Sequence, residues 1–376
     1  MSHYFDHAAT TPMRPSAIAA WEEQTRYLGN PSSIHGAGRR ARGVVEDSRE
    51  MIASALGVAG SDVIFTSGGT EADNMAVLGI ARARRSADPA RRVVLTSPIE
   101  HHAVLDSVHW LASQGFEVVE FPVDERGVVD GEAAEEAIRA NAGSLALVTC
   151  MWVNNETGSI QPVSALSRVC AEFSIPYHCD AVQASLLWDR REPGCLAMSA
   201  HKIGGPMGVG ALILPRTTPI EPIGFGGGQE RRLRSGTIPV PLVASFAQAL
   251  SEMTNQREAE THRLTELSAR LESILTSVNA QIIGQDRSPA ITYALIDGCA
   301  GQDLVVLLDQ KQIYVSTGAA CTAGVPQPSH VLLAMGYTHE QARSGLRFSL
   351  GWTTSDEDLD ALAAALPEAV ARARGV

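Results

Sequence analysis

Lys202 stands in the stretch SAHKIGGPMGVGAL, among small and apolar residues and shortly before the run GALIL. Most lysines sit in water. Burial in so apolar a stretch would lower the amine pKa and leave a neutral nucleophile able to form a Schiff base. A solvated surface lysine is the plainer alternative. The glycines of GGPMGVG do not make a dinucleotide loop, because they depart from G-x-G-x-x-G and precede a strand where that fingerprint needs a helix. Asp180, in YHCDAVQAS, ends a run that reads as a strand. Open α/β sheets bind ligands at that end of their strands. An acid there can pair with a protonated pyridine nitrogen, or it can cap the next helix.

Three further stretches share this placement. TSGGTEADN follows the run DVIFT and opens a helical pattern. Gly68 and Gly69 let the backbone approach a ligand, Thr70 adds a hydroxyl, and a helix N-terminus favours phosphate. An ordinary strand-to-helix turn is the alternative. His101, in SPIEHHAV, follows RVVLT; its imidazole can stack on a ring or move protons, or it can be structural. Asn154 and Asn155, in VNNETG, follow LALVTC. An amide can bond a ring oxygen, and Asn also favours turns. A phosphate loop, an imidazole, an amide, an acid and an amine thus fall at the carboxyl ends of successive runs. One cofactor seated on a common rim explains that placement.

The six cysteines are Cys150, Cys170, Cys179, Cys195, Cys299 and Cys321. They form no C-x-x-C pair and no zinc-like spacing. The start MSHYFDHAATTP has neither the basic nor the apolar region of a secretion signal. The expectation is a cytoplasmic protein with reduced thiols, five of them small core residues. Cys321 differs. It lies in STGAACTAGVPQPSH, between small residues and ahead of Pro326 and Pro328. Side chains that bury so little apolar area are expected to let the thiol travel.

The elements that must hold these groups follow from periodicity. DVIFT, RVVLT, EVVEF, LALVTC, PYHCD and GALIL read as strands, with helical stretches between most of them, such as DGEAAEEAIRANA. This alternation predicts an α/β layer on a mostly parallel sheet covered on both faces. After residue 250, Leu264, Leu267, Leu271, Ile274 and Leu275 mark one helix face. AITYALI, IYVS and GLRFSL read as strands of a smaller second sheet, and the chain closes on another helical pattern. A large domain is therefore expected over 15–250, and a small one over 1–14 and 251–376. A net charge of −12 over 376 residues argues against nucleic-acid binding, which needs a positive footprint. No apolar run is long enough to suggest a membrane span.

Together YFDHAATTP, GNPSSIHGAG, TSGGTEADN, EHHAVLD, VNNETG, HCDAVQAS, SAHKIGGPMGVGAL, GGGQERRLRSGT and GLRFSLG resemble the cysteine desulfurases over nearly the whole chain. These are a branch of the class V aminotransferase family with the type I pyridoxal-phosphate fold. The resemblance implies that fold: a large domain with a mostly parallel sheet flanked by helices, and a smaller α+β C-terminal domain. It implies pyridoxal 5'-phosphate as cofactor, L-cysteine as substrate, L-alanine as product and a homodimer. Lys202 then looks like the Schiff-base lysine, Asp180 the partner of the pyridine nitrogen and His101 the stacking, proton-handling histidine. Gln183 and Asn155 match positions near the ring oxygen and substrate. Gly69, Thr70, Ser199 and His201 match the phosphate cup, and Thr237 matches a residue that reaches the phosphate from the other subunit. Arg347 matches the arginine that grips the substrate carboxylate.

Cys321 matches the sulfur-accepting nucleophile, on a loop of about 316–328 that is similar to the longer-loop branch. That branch passes sulfur to an acceptor protein for iron–sulfur clusters, thiolated tRNA and similar products. Phe225 and Gln229 stand where many relatives carry His. Relatives serving a general iron–sulfur scaffold often continue into a docking tail, whereas this chain ends at Val376; that leaves room for a dedicated acceptor, such as a partner in tRNA or DNA sulfur modification. Selenocysteine lyase and small-substrate aminotransferase are the neighbouring activities, and a silent binding subunit is the non-enzymatic alternative. An aminotransferase needs no nucleophilic cysteine, and a silent subunit needs none of Lys202, Asp180, His101 and Cys321.

Overall fold

The apolar runs form strands wherever a neighbour can take up their backbone hydrogen bonds, and the stretches between them coil into helices that cover the resulting sheet. The computed structural model describes residues 2–187, 194–284, 286–318 and 328–375. The first half contains β1 (His3–Tyr4), α1 (Pro15–Thr25), α2 (Gly36–Leu56), β2 (Val63–Thr66), α3 (Gly69–Ala87), β3 (Val93–Thr96), α4 (His102–Ser113), β4 (Glu117–Glu120), α5 (Gly131–Ala140), β5 (Leu145–Thr149), α6 (Val163–Glu172), β6 (Tyr177–Asp180), β7 (Cys195–Ser199) and β8 (Gly210–Ile213). The second half contains α7 (Val240–Ser277), β9 (Gln281–Ile283), β10 (Ile291–Leu295), α8 (Gly301–Asp309), β11 (Ile313–Tyr314), α9 (His330–Ala334), α10 (His339–Arg343), β12 (Gly345–Ser349) and α11 (Asp356–Ala373).

The large sheet runs β2-β8-β7-β6-β5-β3-β4. Only β8 opposes the rest, since it pairs antiparallel with both β2 and β7. Every residue of β2, β3, β5, β6, β7 and β8 is buried, as a sheet covered on both faces requires. The edge strand β4 is partly exposed and has a glutamate at each end, which discourages further strand pairing. The strand CLAMS, β7, has few β-branched residues and was not expected from the sequence. Pairing between β6 and β8 supplies what propensity does not.

The smaller sheet is antiparallel, in the order β12-β10-β9. IYVS departs from expectation: as β11 it pairs in parallel with β1 at the N-terminus. Ser316 then bridges to Arg347 of β12. Helix α7 is 38 residues long, and the expected domain boundary at 250/251 falls inside it. Its first half buries Val243, Phe246, Leu250 and Met253 in the core beneath the large sheet. Its second half buries Leu264, Leu267, Leu271 and Leu275 with Phe5, Leu346 and Phe348 in a separate core. Five cysteines (Cys150, Cys170, Cys179, Cys195 and Cys299) are buried, as expected of small core residues. Among the described residues no helix is long and apolar enough to cross a membrane.

Candidate cofactor and substrate site

Above the carboxyl ends of the parallel strands lies a cavity of about 420 Å³. Gly69, Thr70, His101, Asn155, Asp180, Gln183, Ser199, His201, Lys202 and Arg347 all line it. All but Arg347, which lies mid-strand on β12, arrive by a short route from an end of a large-sheet strand. Gly69 and Thr70 open α3 after β2, His101 caps α4 after β3, and Asp180 ends β6. Ser199 ends β7, and a single 3-10 turn, Ala200–Lys202, follows it. The lysine therefore owes its position to the strand that the sequence hid.

The Lys202 amine donates to the carbonyls of Ala8 and Ala9, the latter at 2.9 Å. Burial, then Arg347, lower its pKa to about 8, while Asp180 and Asp6 oppose the shift. Asp180 Oδ1 accepts the Val182 N–H at 2.9 Å. This closes an Asx turn, and no helix follows among the described residues. Burial raises the Asp180 carboxyl, whereas the Val182 N–H, His101 and Lys202 pull it back down. His101 Nδ1 accepts the Ala103 N–H at 3.1 Å, so in the neutral ring the proton sits on Nε2. Burial lowers the His101 pKa, with Asp180 opposing and Lys202 reinforcing.

Arg347 on β12 is 5% exposed. Its Nη1 donates to the Asn155 carbonyl at 2.8 Å and its Nη2 to Asp6 Oδ1 at 2.7 Å. Nε is buried without a partner. The two asparagines of VNNETG separate. The Asn154 amide donates to the Ile99 carbonyl and accepts the Glu156 and Thr157 N–H groups, a purely structural turn. Asn155 faces the cavity. Gln183 donates to the Ala8 carbonyl at 2.9 Å, and His201 pairs with the Thr10 hydroxyl at 3.2 Å. Thr237 is not brought to the cavity; it lies exposed on the segment before α7. Cys321 and most of the 316–328 loop lie outside the described residues.

Residues 3–362 match the family described as Aminotransferase class-V. The chain belongs to the class V aminotransferase family. It is 48% identical over 381 residues to an IscS-like cysteine desulfurase of Mycobacterium tuberculosis, covering 99% of this chain and 97% of that one. It is 38% identical over 384 residues to a cysteine desulfurase IscS of Methanosarcina thermophila, covering 99% and 93%. A solved NifS-like protein superposes with a TM-score of 0.90 at 33% identity, over 99% of this chain and all of its own.

Pyridoxal phosphate is the cofactor of this family, and the cavity suits it chemically. No side chain caps the first turn of α3, so its N-terminal end is available to a phosphate. The hydroxyls of Thr70 and Ser199 line the same cavity. Gly69 is required by space: a Cβ there would come within 2.6 Å of Val182 Cγ2. Gly210 of β8 likewise passes under the turn, where a Cβ would come within 2.8 Å of Gly68. An amine of lowered pKa, a buried acid and an imidazole complete the set that an aldehyde, a pyridine nitrogen and a ring face require.

Sequence reasoning missed Asp6, Asp73, Glu156, His102 and His330, all at or beside the cavity. Asp73 was legible, since it follows Thr70 by three residues on one face of α3. Lys202 had a further signal: the whole chain holds only two lysines, Lys202 and Lys311.

Proposed function

We infer that the protein is a pyridoxal-phosphate-dependent cysteine desulfurase. It converts L-cysteine to L-alanine, and the sulfur passes to Cys321 as a persulfide. The observation that carries this reading is one cavity shared by Lys202, Asp180, His101 and Arg347, in a chain 48% identical to an IscS-like cysteine desulfurase.

Bound pyridoxal phosphate supplies an electron sink for the charge left when the substrate loses its Cα proton. Thr70, Ser199, His201 and the N-terminus of α3 hold the phosphate end. Asp180 keeps a negative charge at the ring nitrogen, and His101 stacks on the ring and handles protons from Nε2. Lys202 holds the cofactor through its amine, which a pKa lowered to about 8 leaves half neutral at pH 8. Arg347, aligned by Asp6 and the Asn155 carbonyl, grips the substrate carboxylate, and Gln183 and Asn155 orient the atoms between. The sulfur step balances as L-cysteine plus the Cys321 thiol giving L-alanine plus the Cys321 persulfide. Only a thiolate is a good nucleophile toward sulfur, so serine at 321 would not serve.

The persulfide is then delivered to an acceptor protein serving iron–sulfur, tRNA or DNA sulfur chemistry in the cytoplasm. The active species is a homodimer in which Thr237 reaches the partner's phosphate site. The exposure of Thr237 and of the large apolar side chains Leu28, Ile34 and Phe225 supports that assembly. The small domain, 1–14 and the segment after 250, takes α7 as its shared spine.

Treating the protein with L-cysteine should release alanine and add one sulfur mass to the Cys321 peptide. Cys321→Ser should still bind pyridoxal phosphate yet make almost no alanine without an added thiol. A fully active Cys321→Ser with the extra sulfur on Cys179 or Cys299 would overturn the reading.

A further inference from the structure

Behind Asp180 lies a polar layer to which the desulfurase reading gives no task. Asp73 of α3, Glu100 of the turn after β3 and His178 of β6 are each no more than 1% exposed. Asp73 Oδ1 faces His178 Nε2 at 3.3 Å, but the angle is poor and neither atom makes a directed hydrogen bond. On its other side, His178 Nδ1 meets the Thr149 hydroxyl at 2.9 Å. Glu100 Oε1 accepts the Met151 N–H at 2.7 Å, while Oε2 is buried without a partner. Together with Asp180 this makes three buried carboxyl groups in one layer.

Three carboxylates cannot all be ionised there. A buried charge is tolerated only when paired and hydrogen-bonded. The neighbours decide which one keeps it. Asp180 accepts a backbone N–H and faces His101 and Lys202. Asp73 instead meets two acids: burial, then Asp180 and Glu100, hold its carboxyl well above the usual range. Burial and Asp180 push Glu100 up to about 8. Burial drives His178 down to about 3, so its ring is neutral and one nitrogen carries a lone pair. If Nδ1–H serves the Thr149 hydroxyl, that lone pair is on Nε2, opposite Asp73.

We propose that Asp73 and Glu100 are positioning residues held as neutral carboxylic acids, Asp73 facing the neutral ring of His178, so that Asp180 carries the layer's only negative charge. The inference deepens the assignment of Asp180 to the ring nitrogen and rests on it. A second ionised carboxylate beside Asp180 would raise its proton affinity and weaken its hold on a cationic nitrogen. Two neutral acids fill the same space without that competition.

Infrared difference spectroscopy on the full-length protein at pH 7, with and without bound cofactor, tests it. Subtracting Asp73→Asn or Glu100→Gln from wild type should in each case remove a protonated carboxylic-acid carbonyl band that shifts in heavy water. Loss of an ionised-carboxylate band in either variant would overturn the proposal. The infrared bands are the readout that a structural role alone would not produce. Asp73→Leu should lower turnover about tenfold or more, and Asp73→Asn, neutral and similar in shape, should recover most of that loss. Equal losses in both variants would count against a neutral Asp73. The infrared bands do not depend on turnover. Near-wild-type alanine production by Asp180→Asn would instead sink the ring-nitrogen assignment beneath the inference.

Discussion

Titrating Lys202 tests the site without relying on any bound group. The structure places the amine in a buried setting that lowers its pKa to about 8, with Arg347 adding to the shift and Asp180 and Asp6 opposing it. Only the neutral amine reacts with an acylating reagent. An amine of pKa 8 is half neutral at pH 8, whereas an ordinary lysine near 10.4 is about 0.4% neutral there, a difference of roughly a hundredfold. The two-lysine composition makes the assay clean, because Lys311 is the only other lysine and the α-amine falls on a separate peptide. Trace acetylation of the cofactor-free full-length chain between pH 6 and 11, read by mass spectrometry, gives a profile for each lysine. Burial slows the absolute rate at Lys202, so the midpoint of the profile is the quantity to read. It should fall near pH 8. Arg347→Gln removes a nearby cation and should move it up; Asp6→Asn removes an anion and should move it down. A Lys202 midpoint at pH 10 or above would refute the claim that the fold prepares a neutral amine.

Three further outcomes are expected. Asp180→Asn should retain pyridoxal phosphate, measured by its visible absorption, while alanine production falls on the order of a hundredfold or more. Arg347→Lys keeps the charge but loses the planar fork, so kcat/KM for L-cysteine should fall roughly ten- to a hundredfold, in both KM and kcat. Gly69→Ala forces its new methyl against Val182, 2.6 Å from an ideal Cβ; retention of the cofactor on dialysis should weaken on the order of tenfold, about 1.4 kcal/mol.

Most of the rim was legible because strand ends in an α/β sheet are local features. A run such as DVIFT followed by Gly68 and Gly69 announces both the strand and the helix that begins after it. What stayed hidden depends on pairing at a distance. CLAMS has little intrinsic preference for a strand and becomes one only between β6 and β8. IYVS reads correctly as extended, yet Ile313 and Tyr314 pair with the N-terminal strand and only Ser316 reaches the small sheet. The spare carboxyls were hidden for another reason. Glu100 sits in EHH beside the more conspicuous His101, and only the tertiary fold shows that its side chain is buried. Asn154 and Asn155 looked alike in sequence because one residue's difference decides which amide turns into the backbone and which faces the cavity.

The proposed substrate end of the site comes from a different sheet than the proposed cofactor end. The short segment after β1 is what joins them. Asp6 holds Arg347 of β12. The Ala8 and Ala9 carbonyls receive the Lys202 amine, and Ala8 also receives the Gln183 amide. Thr10 meets His201. Arg14, 2% exposed, then locks the far end: its Nε donates to the Ile203 carbonyl beside Lys202, and its Nη groups reach Glu252, Gln256 and Glu260 along α7. Residues proposed to hold cofactor and residues proposed to hold substrate thus share one run of backbone, pinned to the helix common to both cores. An ångström of misplacement between such groups can cost on the order of a hundredfold in rate. A buried arginine with several side-chain acceptors limits that freedom more than loose packing would, because moving it strips hydrogen bonds from a desolvated charge. The spacing between Lys202 and Arg347 is therefore set by the N-terminal segment, which supplies backbone carbonyls and a counter-ion to the chemistry of other elements.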